Sequence, residues 1–134
     1  MAVNREQFVH DSEATRYRPI ELITENGFSI VRASDLYGDG AADAREHSFL
    51  VRDPYGYELD IAVEIDPSAV LEVVKRSAGR ISSDSSYWIC CAERHLADYL
   101  WEQDDYPPDA RLKVDRLTPD DLDCAMRWQR DGEI

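Results

Sequence analysis

The chain has 134 residues, of which 43% are hydrophobic and 32% are charged, and its formal net charge is −13. Its length and apolar fraction predict a single folded domain over residues 1–134 rather than a disordered chain. The acidic balance argues against direct binding of nucleic acid, and without an apolar run of about 18 residues we expect no membrane association and a cytoplasmic location.

The N-terminal region, residues 1–17, carries only a thin apolar stripe that predicts a short helix or an arm. The first strong signal is Asn26-Gly27, a dipeptide typical of a two-residue type I′ hairpin turn, between two apolar runs. A turn of this length sets the cross-strand partners. The predicted pairs are Ile23 with Ile30 and Glu21 with Arg32.

A second hairpin is predicted around Asp53-Pro54-Tyr55-Gly56, where proline favours the start of the turn and glycine its left-handed end. A three-residue loop places Arg52 opposite Glu58 on a polar outer face. The inner face of the same hairpin is apolar. Its members are Phe49, Val51, Leu59, Ile61, Val63 and Ile65.

Helices and strands alternate over the rest of the chain. Asp66-Pro67 is a typical helix start, and a helix is predicted to run from there to Gly79. Tyr87–Cys91 is apolar on both faces, which predicts a central strand. Ala92–Gln103 has helical periodicity, and Arg111–Arg116 alternates as a strand does.

Thr118 and Asp121 have the spacing of a capping box, so a last helix is predicted to begin there. The predicted fold is therefore α+β, with a mainly antiparallel sheet of about six strands. Two N-terminal hairpins come first, followed by helix, strand, helix, strand and helix. The helices pack on one face of the sheet.

The acidic loop between the two hairpins has oxygen ligands at most positions of a calcium-binding loop. The candidate ligands are Asp35, Asp39, Asp43 and Glu46. Tyr37 stands where that loop carries a polar ligand, and the predicted flanks are strands instead of helices. A solvated acidic connection is the interpretation that we favour, and calcium is the one cofactor candidate.

Three cysteines without disulfide or metal spacing predict reduced thiols. Cys91, His95 and Asp98 follow one another by about a helical turn and form a candidate catalytic set, because amides at a helix start favour a thiolate. Side chains on one helix project in parallel, however, and seldom converge on a reacting atom. A packed, unreactive thiol is the interpretation that we favour.

A segment rich in aromatic and acidic residues is the candidate partner-binding surface. Aromatic residues are frequent at binding hot spots, and carboxylates around them steer a basic partner. Its members are Tyr99, Trp101, Glu102, Asp104, Asp105, Tyr106 and Asp109. The structural alternative is a solvated turn with Trp101 buried beneath it.

For function, the sequence favours a non-catalytic acidic binding protein of the inhibitor, immunity or nucleic-acid-mimic type that engages a basic protein partner. It contains none of the common hydrolase, nucleotide-binding or metalloprotease motifs, which favours a non-catalytic protein over an enzyme and leaves both open. The alternative is a small enzyme or calcium-binding protein that uses the Asp35–Glu46 loop or the Cys91 and His95 face.

Overall fold

Five strands form one sheet in the described part of the chain, accompanied by three helices and two short helical turns. The computed structural model describes residues 21–37 and 45–128, so the predicted helix or arm at residues 1–17 lies outside it. The strands are β1 Glu21–Ile23, β2 Ser29–Arg32, β3 Glu46–Arg52, β4 Glu58–Ile65 and β5 Arg111–Val114. The helices are α1 Pro67–Arg76, α2 Tyr87–Gln103 and α3 Pro119–Arg127, with the helical turn Ala33–Tyr37 after β2 and a 3-10 turn at Pro108–Ala110.

The sheet follows chain order, from β1 to β5. The first four strands are antiparallel neighbours, whereas β5 runs parallel to β4. Because a parallel neighbour requires the chain to cross back along the sheet, the connection between β4 and β5 is long and contains α1 and α2. The α+β class is confirmed. In detail the sheet differs from the prediction, because its described part has five strands instead of about six, and one of its four strand pairings is parallel.

The fifth predicted strand in chain order, Tyr87–Cys91, is instead the beginning of α2. A short apolar run does not by itself distinguish a central strand from a buried helix. The buried residues of α2 recur at helical spacing along the whole helix. They are Tyr87, Trp88, Cys91, Ala92, Leu96 and Leu100. One apolar face therefore runs from the predicted strand into the predicted helix Ala92–Gln103.

The first hairpin lies at the predicted place, but its predicted register is wrong by one residue. Leu22 pairs with Ile30, and Ile23 with Ser29. The Thr24 amide donates to the Phe28 carbonyl at 2.9 Å, so the loop has three residues, with Gly27 at φ 97°. The Thr24 hydroxyl oxygen also accepts the Phe28 amide at 3.0 Å, which stabilises this longer turn.

The register shift changes the partners of the charged residues. Arg32 does not face Glu21; its guanidinium lies 2.9 Å from Glu93 on α2 and connects the sheet to that helix. The second hairpin has the predicted register, with Arg52 opposite Glu58 and an ion pair of 3.0 Å between them.

The core lies between the sheet and the helices, as predicted. Of the predicted inner-face residues, Leu59 is partly exposed, and the others are buried: Phe49, Val51, Ile61, Val63 and Ile65. The Asp66 carboxylate caps α1 by accepting the Ser68 amide, and Thr118 and Asp121 form the predicted capping box of α3. Among the described helices, none combines the length and the apolar character needed to cross a membrane.

Candidate functional site

A groove with a volume of about 390 Å³ lies between the two hairpin turns and the loop that follows α2. We call it the turn groove. It is lined by Asn26, Phe28, Asp53, Pro54, Tyr55, Asp104, Asp105 and Tyr106. The three segments that form it are distant in sequence, and specific contacts hold them together.

Asn26 connects the first hairpin turn to the end of α2. Its side-chain amide donates to the Leu100 carbonyl and to Asp104 Oδ1, each at 3.0 Å. Asp104 has a left-handed backbone, with φ 56°, and its amide donates to the same Leu100 carbonyl that ends the helix. Aspartate and asparagine tolerate this conformation better than most residues, so the loop can turn sharply towards the hairpins.

Tyr106 connects the loop to both hairpins. Its hydroxyl donates to the Tyr57 carbonyl at 2.7 Å, and its ring meets the ring of Phe28 edge-on at 5.9 Å. The two hairpin turns also touch, because a Cβ atom at Gly27 would lie 3.2 Å from Pro54 Cγ. The walls of the groove are therefore fixed by contacts that do not depend on a ligand.

Three carboxylates line the turn groove, and no lining residue that the structure describes is basic. The Oδ1 atom of Asp53 accepts the amides of Tyr55 and Tyr57 at 2.9 Å, and Asp105 Oδ1 accepts the Tyr106 amide at 2.7 Å. Burial raises the pKa of Tyr106, and the negative charge of Asp53 contributes to the same shift. The groove thus concentrates negative charge beside an aromatic ring, Tyr55, that is 87% exposed.

The structure divides the predicted partner-binding surface. Asp104, Asp105 and Tyr106 line the turn groove, whereas Tyr99 and Glu102 line a second groove, next to His95. The other two members, Trp101 and Asp109, are exposed and line neither groove, and Trp101 is not buried beneath the turn. Sequence reasoning missed Asp53 and Tyr55, although it had assigned both to a turn, because their nearness to Asp104 arises only in the folded chain.

A second group of polar residues surrounds Asp121, which is only 1% exposed. Its Oδ2 atom lies 2.6 Å from His95 Nε2 and accepts the Thr118 amide at 2.8 Å, while the Arg94 guanidinium donates to Oδ1. Burial opposes ionisation of Asp121, but these hydrogen bonds outweigh it and hold the pKa of Asp121 well below its usual range. With Cys91, these residues form what we call the Asp121 cluster.

The Asp121 cluster opens on the second groove, which we call the helix groove and which has a volume of about 480 Å³. Unlike the turn groove, it has residues of both charges. Its charged and polar members include Arg94, Asp98, Glu102, Lys113, Asp120 and Asp121. Two basic side chains offset part of the charge of the four carboxylates in this groove, whereas the three carboxylates of the turn groove have no basic lining residue among those described.

Of the candidate catalytic residues Cys91, His95 and Asp98, the structure brings together Cys91 and His95, with Asp121 in place of Asp98. Because α2 begins at Tyr87, Cys91 lies in the second turn and not at the helix start, so the reason for expecting a thiolate there is removed. Burial raises the pKa of Cys91 to about 12, and the charge of Asp121 acts in the same direction. His95 has Asp121 as its carboxylate partner, a residue that the sequence indicated only as a helix cap, while Asp98 is exposed. This geometry does not favour Cys91 as a nucleophile at neutral pH.

Most of the predicted calcium loop is outside the described residues, including Asp39 and Asp43. Asp35 lies in the helical turn Ala33–Tyr37, which follows β2 directly, and Glu46 begins β3, so a helical turn and not the strand itself leads into the loop. The Glu46 carboxylate lies 3.6 Å from the Arg111 guanidinium on β5. The calcium prediction remains untested.

Comparisons of the chain with protein-family models, with curated proteins and with solved structures each gave no match. The function is therefore inferred from the chemistry of the two grooves.

Proposed function

We propose that the protein is a non-catalytic binding protein whose turn groove receives a cationic side chain of a basic macromolecular partner. The observation that carries this proposal is the turn groove itself, where Asp53, Asp104 and Asp105 meet Tyr55 and Tyr106 without a basic lining residue. Because no basic lining residue pairs with these carboxylates, they are available to a cationic group of a partner. The partner class includes nucleases and nucleic-acid-binding proteins, so the role is that of an inhibitor, immunity protein or nucleic-acid mimic.

Arginine is the side chain that this groove suits best. A guanidinium presents a planar set of donors to carboxylates and also stacks on an aromatic face, whereas a lysine ammonium acts as a point charge. Tyr55 offers an exposed ring at the rim, and Asp104 and Asp105 lie across from its turn. We therefore expect arginine to be preferred to lysine.

The groove is also preorganised. Asn26 and Tyr106 hold its walls through hydrogen bonds that are already made in the unbound chain. Less conformational freedom is then lost on binding, which favours affinity. The net charge of −13 adds long-range attraction, which raises the rate of association with a basic partner at low salt. A cytoplasmic location is part of this proposal.

The first test is the binding of a short oligo-arginine peptide to the 134-residue chain, measured by calorimetry at low and high salt. We expect binding at low salt that weakens as salt is added, because exposed charges are screened. The double variant Asp104→Asn, Asp105→Asn should weaken binding about tenfold, which is about 1.4 kcal/mol. Asparagine preserves the left-handed backbone at position 104, so the loop should keep its shape.

The matched control is the double variant Asp60→Asn, Asp120→Asn, which removes the same charge from two exposed positions outside the turn groove. It should lose much less affinity than the groove variant. If both double variants lose affinity equally, binding depends on overall charge, and the turn groove is not the site. An oligo-lysine peptide that binds as tightly as oligo-arginine would contradict the role of Tyr55.

A further inference from the structure

We propose that Cys91, His95 and Asp121 form a binding site for a divalent transition-metal ion, with zinc as the ion of this class that suits the ligands. One sulfur, one nitrogen and one oxygen donor come together here, all within 4.8 Å of one another. This site does not follow from the sequence, because Asp121 lies on a different helix, 26 residues from His95. The inference goes beyond the proposed function and does not rest on the turn groove.

The spacing of the ligands suits a metal held between two helices. Cys91 and His95 are four residues apart on α2, so their side chains lie on one face of the helix. Asp121 comes from the first turn of α3. Zinc binds such donors at about 2.0–2.3 Å in tetrahedral geometry, so neighbouring donor atoms around it are about 3.3–3.8 Å apart. The present separations are 2.6 Å between His95 Nε2 and Asp121 Oδ2 and no more than 4.8 Å among the three donor atoms, so side-chain movements of about 1 Å reach these values.

A zinc ion would replace protons that the cluster now holds. Without an ion, Cys91 is a free thiol, and the contact of 2.6 Å between His95 Nε2 and Asp121 Oδ2 has the length of a hydrogen bond. On binding, the sulfur–hydrogen bond breaks, a sulfur–zinc bond forms, and the thiol proton goes to solvent. The hydrogen between His95 Nε2 and Asp121 Oδ2 also leaves for solvent, and His95 binds through Nε2 as a neutral imidazole with its hydrogen on Nδ1. A thiolate and a carboxylate then balance the two positive charges of the ion.

The surroundings of the ligands match the outer shell of a metal site. The Arg94 guanidinium holds Asp121 through Oδ1, and the Thr118 amide orients Oδ2, as carboxylate ligands in metal sites are usually oriented by further hydrogen bonds. Cys91 is fully buried, which limits access of water to the sulfur. His95 and Asp121 line the helix groove, which gives an ion and a solvent ligand a path to a fourth coordination position.

Cobalt is the probe that tests the assignment, because a thiolate bound to cobalt(II) absorbs by charge transfer in the near ultraviolet. We expect one equivalent of cobalt to produce this absorption in the full chain, and zinc to displace it. Cys91→Ala should abolish it. His95→Gln, at a position whose side chain is 20% exposed, should lower the affinity by more than the tenfold to hundredfold typical of outer-shell changes.

The control keeps Cys91 and removes the other thiols. Cys90, which contacts Arg32 at 3.5 Å, and Cys124 are the other two cysteines of the chain. The double variant Cys90→Ser, Cys124→Ser should retain the absorption, and circular dichroism of every variant checks that it folds. No absorption in the unsubstituted chain, persistence in a folded Cys91→Ala variant, or loss in the double variant would each overturn the site. None of these outcomes bears on oligo-arginine binding, so the two proposals fail separately.

Discussion

The Asp121 cluster and the turn groove both contain carboxylates, but the carboxylate of Asp121 is paired with cationic side chains, whereas those of the turn groove are not. Asp121 is buried, and Arg94, His95 and the Thr118 amide all bond to it. The carboxylates of the turn groove bond to backbone amides or to Asn26, without a cation among the described lining residues. Burial makes pairing necessary, since an isolated buried charge costs several kcal/mol. Uncompensated charge therefore remains at the surface, where a partner can use it.

The largest expected effect is a loss of stability when the paired carboxylate of Asp121 is removed. Asp121→Ala leaves the half-buried Arg94 and His95 without their carboxylate and removes one side of the α3 capping box. We expect the free energy of unfolding to fall by about 3 kcal/mol, as for other broken buried ion pairs. Chemical denaturation measures this. The neighbouring Asp120→Asn, on an exposed side chain, is the control and should change stability by no more than about 0.5 kcal/mol.

The second prediction concerns the loss of folding stability at low pH. The pKa of Asp121 is lower in the folded protein than the value of about 3.9 in an unfolded chain, so the unfolded state takes up this proton first as the pH falls. The stability from Asp121 is complete above about pH 4 and is lost as the pH falls towards the folded-state pKa. Denaturation at pH 7 and pH 3 should show a smaller loss for Asp121→Asn than for the unsubstituted chain. An equal loss would mean that other carboxylates account for the acid sensitivity.

The smallest expected effect is at the wall of the turn groove. Asn26→Ala removes the hydrogen bonds to Leu100 and Asp104, and we expect a loss of about 1 kcal/mol in the free energy of unfolding. Oligo-arginine binding should weaken as well, because Asp104 loses its anchor. If binding is unchanged while stability falls, preorganisation of the groove contributes nothing to affinity.

The sequence predicted those parts of the fold that depend on neighbouring residues. The second hairpin, its apolar face, the Asp66 cap and the Thr118 and Asp121 capping box all result from contacts within a few residues. The register of the first hairpin did not follow from its turn dipeptide. There, Asn26 bonds to Leu100, 74 residues further along the chain, and the Thr24 side chain favours the longer loop.

The turn groove and the Asp121 cluster depend on contacts between distant residues even more than the first hairpin does. Tyr106 reaches the Tyr57 carbonyl across 49 residues, and His95 meets Asp121 across 26. Only the acidic and aromatic character of the segment after α2, and the helical spacing of Cys91 and His95, were visible in the sequence. Periodicity also failed for the first turns of α2, since a run that is apolar on all sides fits a buried helix as well as a central strand.

The most direct test of the account is to map oligo-arginine binding by NMR in the 134-residue chain at low salt. We predict that the amide shifts change chiefly around the turn groove, at residues 26–28, 53, 55–57 and 104–106, and little at Asp121, whose charge is already paired. Shift changes spread evenly over the acidic residues, or concentrated at the Asp121 cluster, would contradict the account.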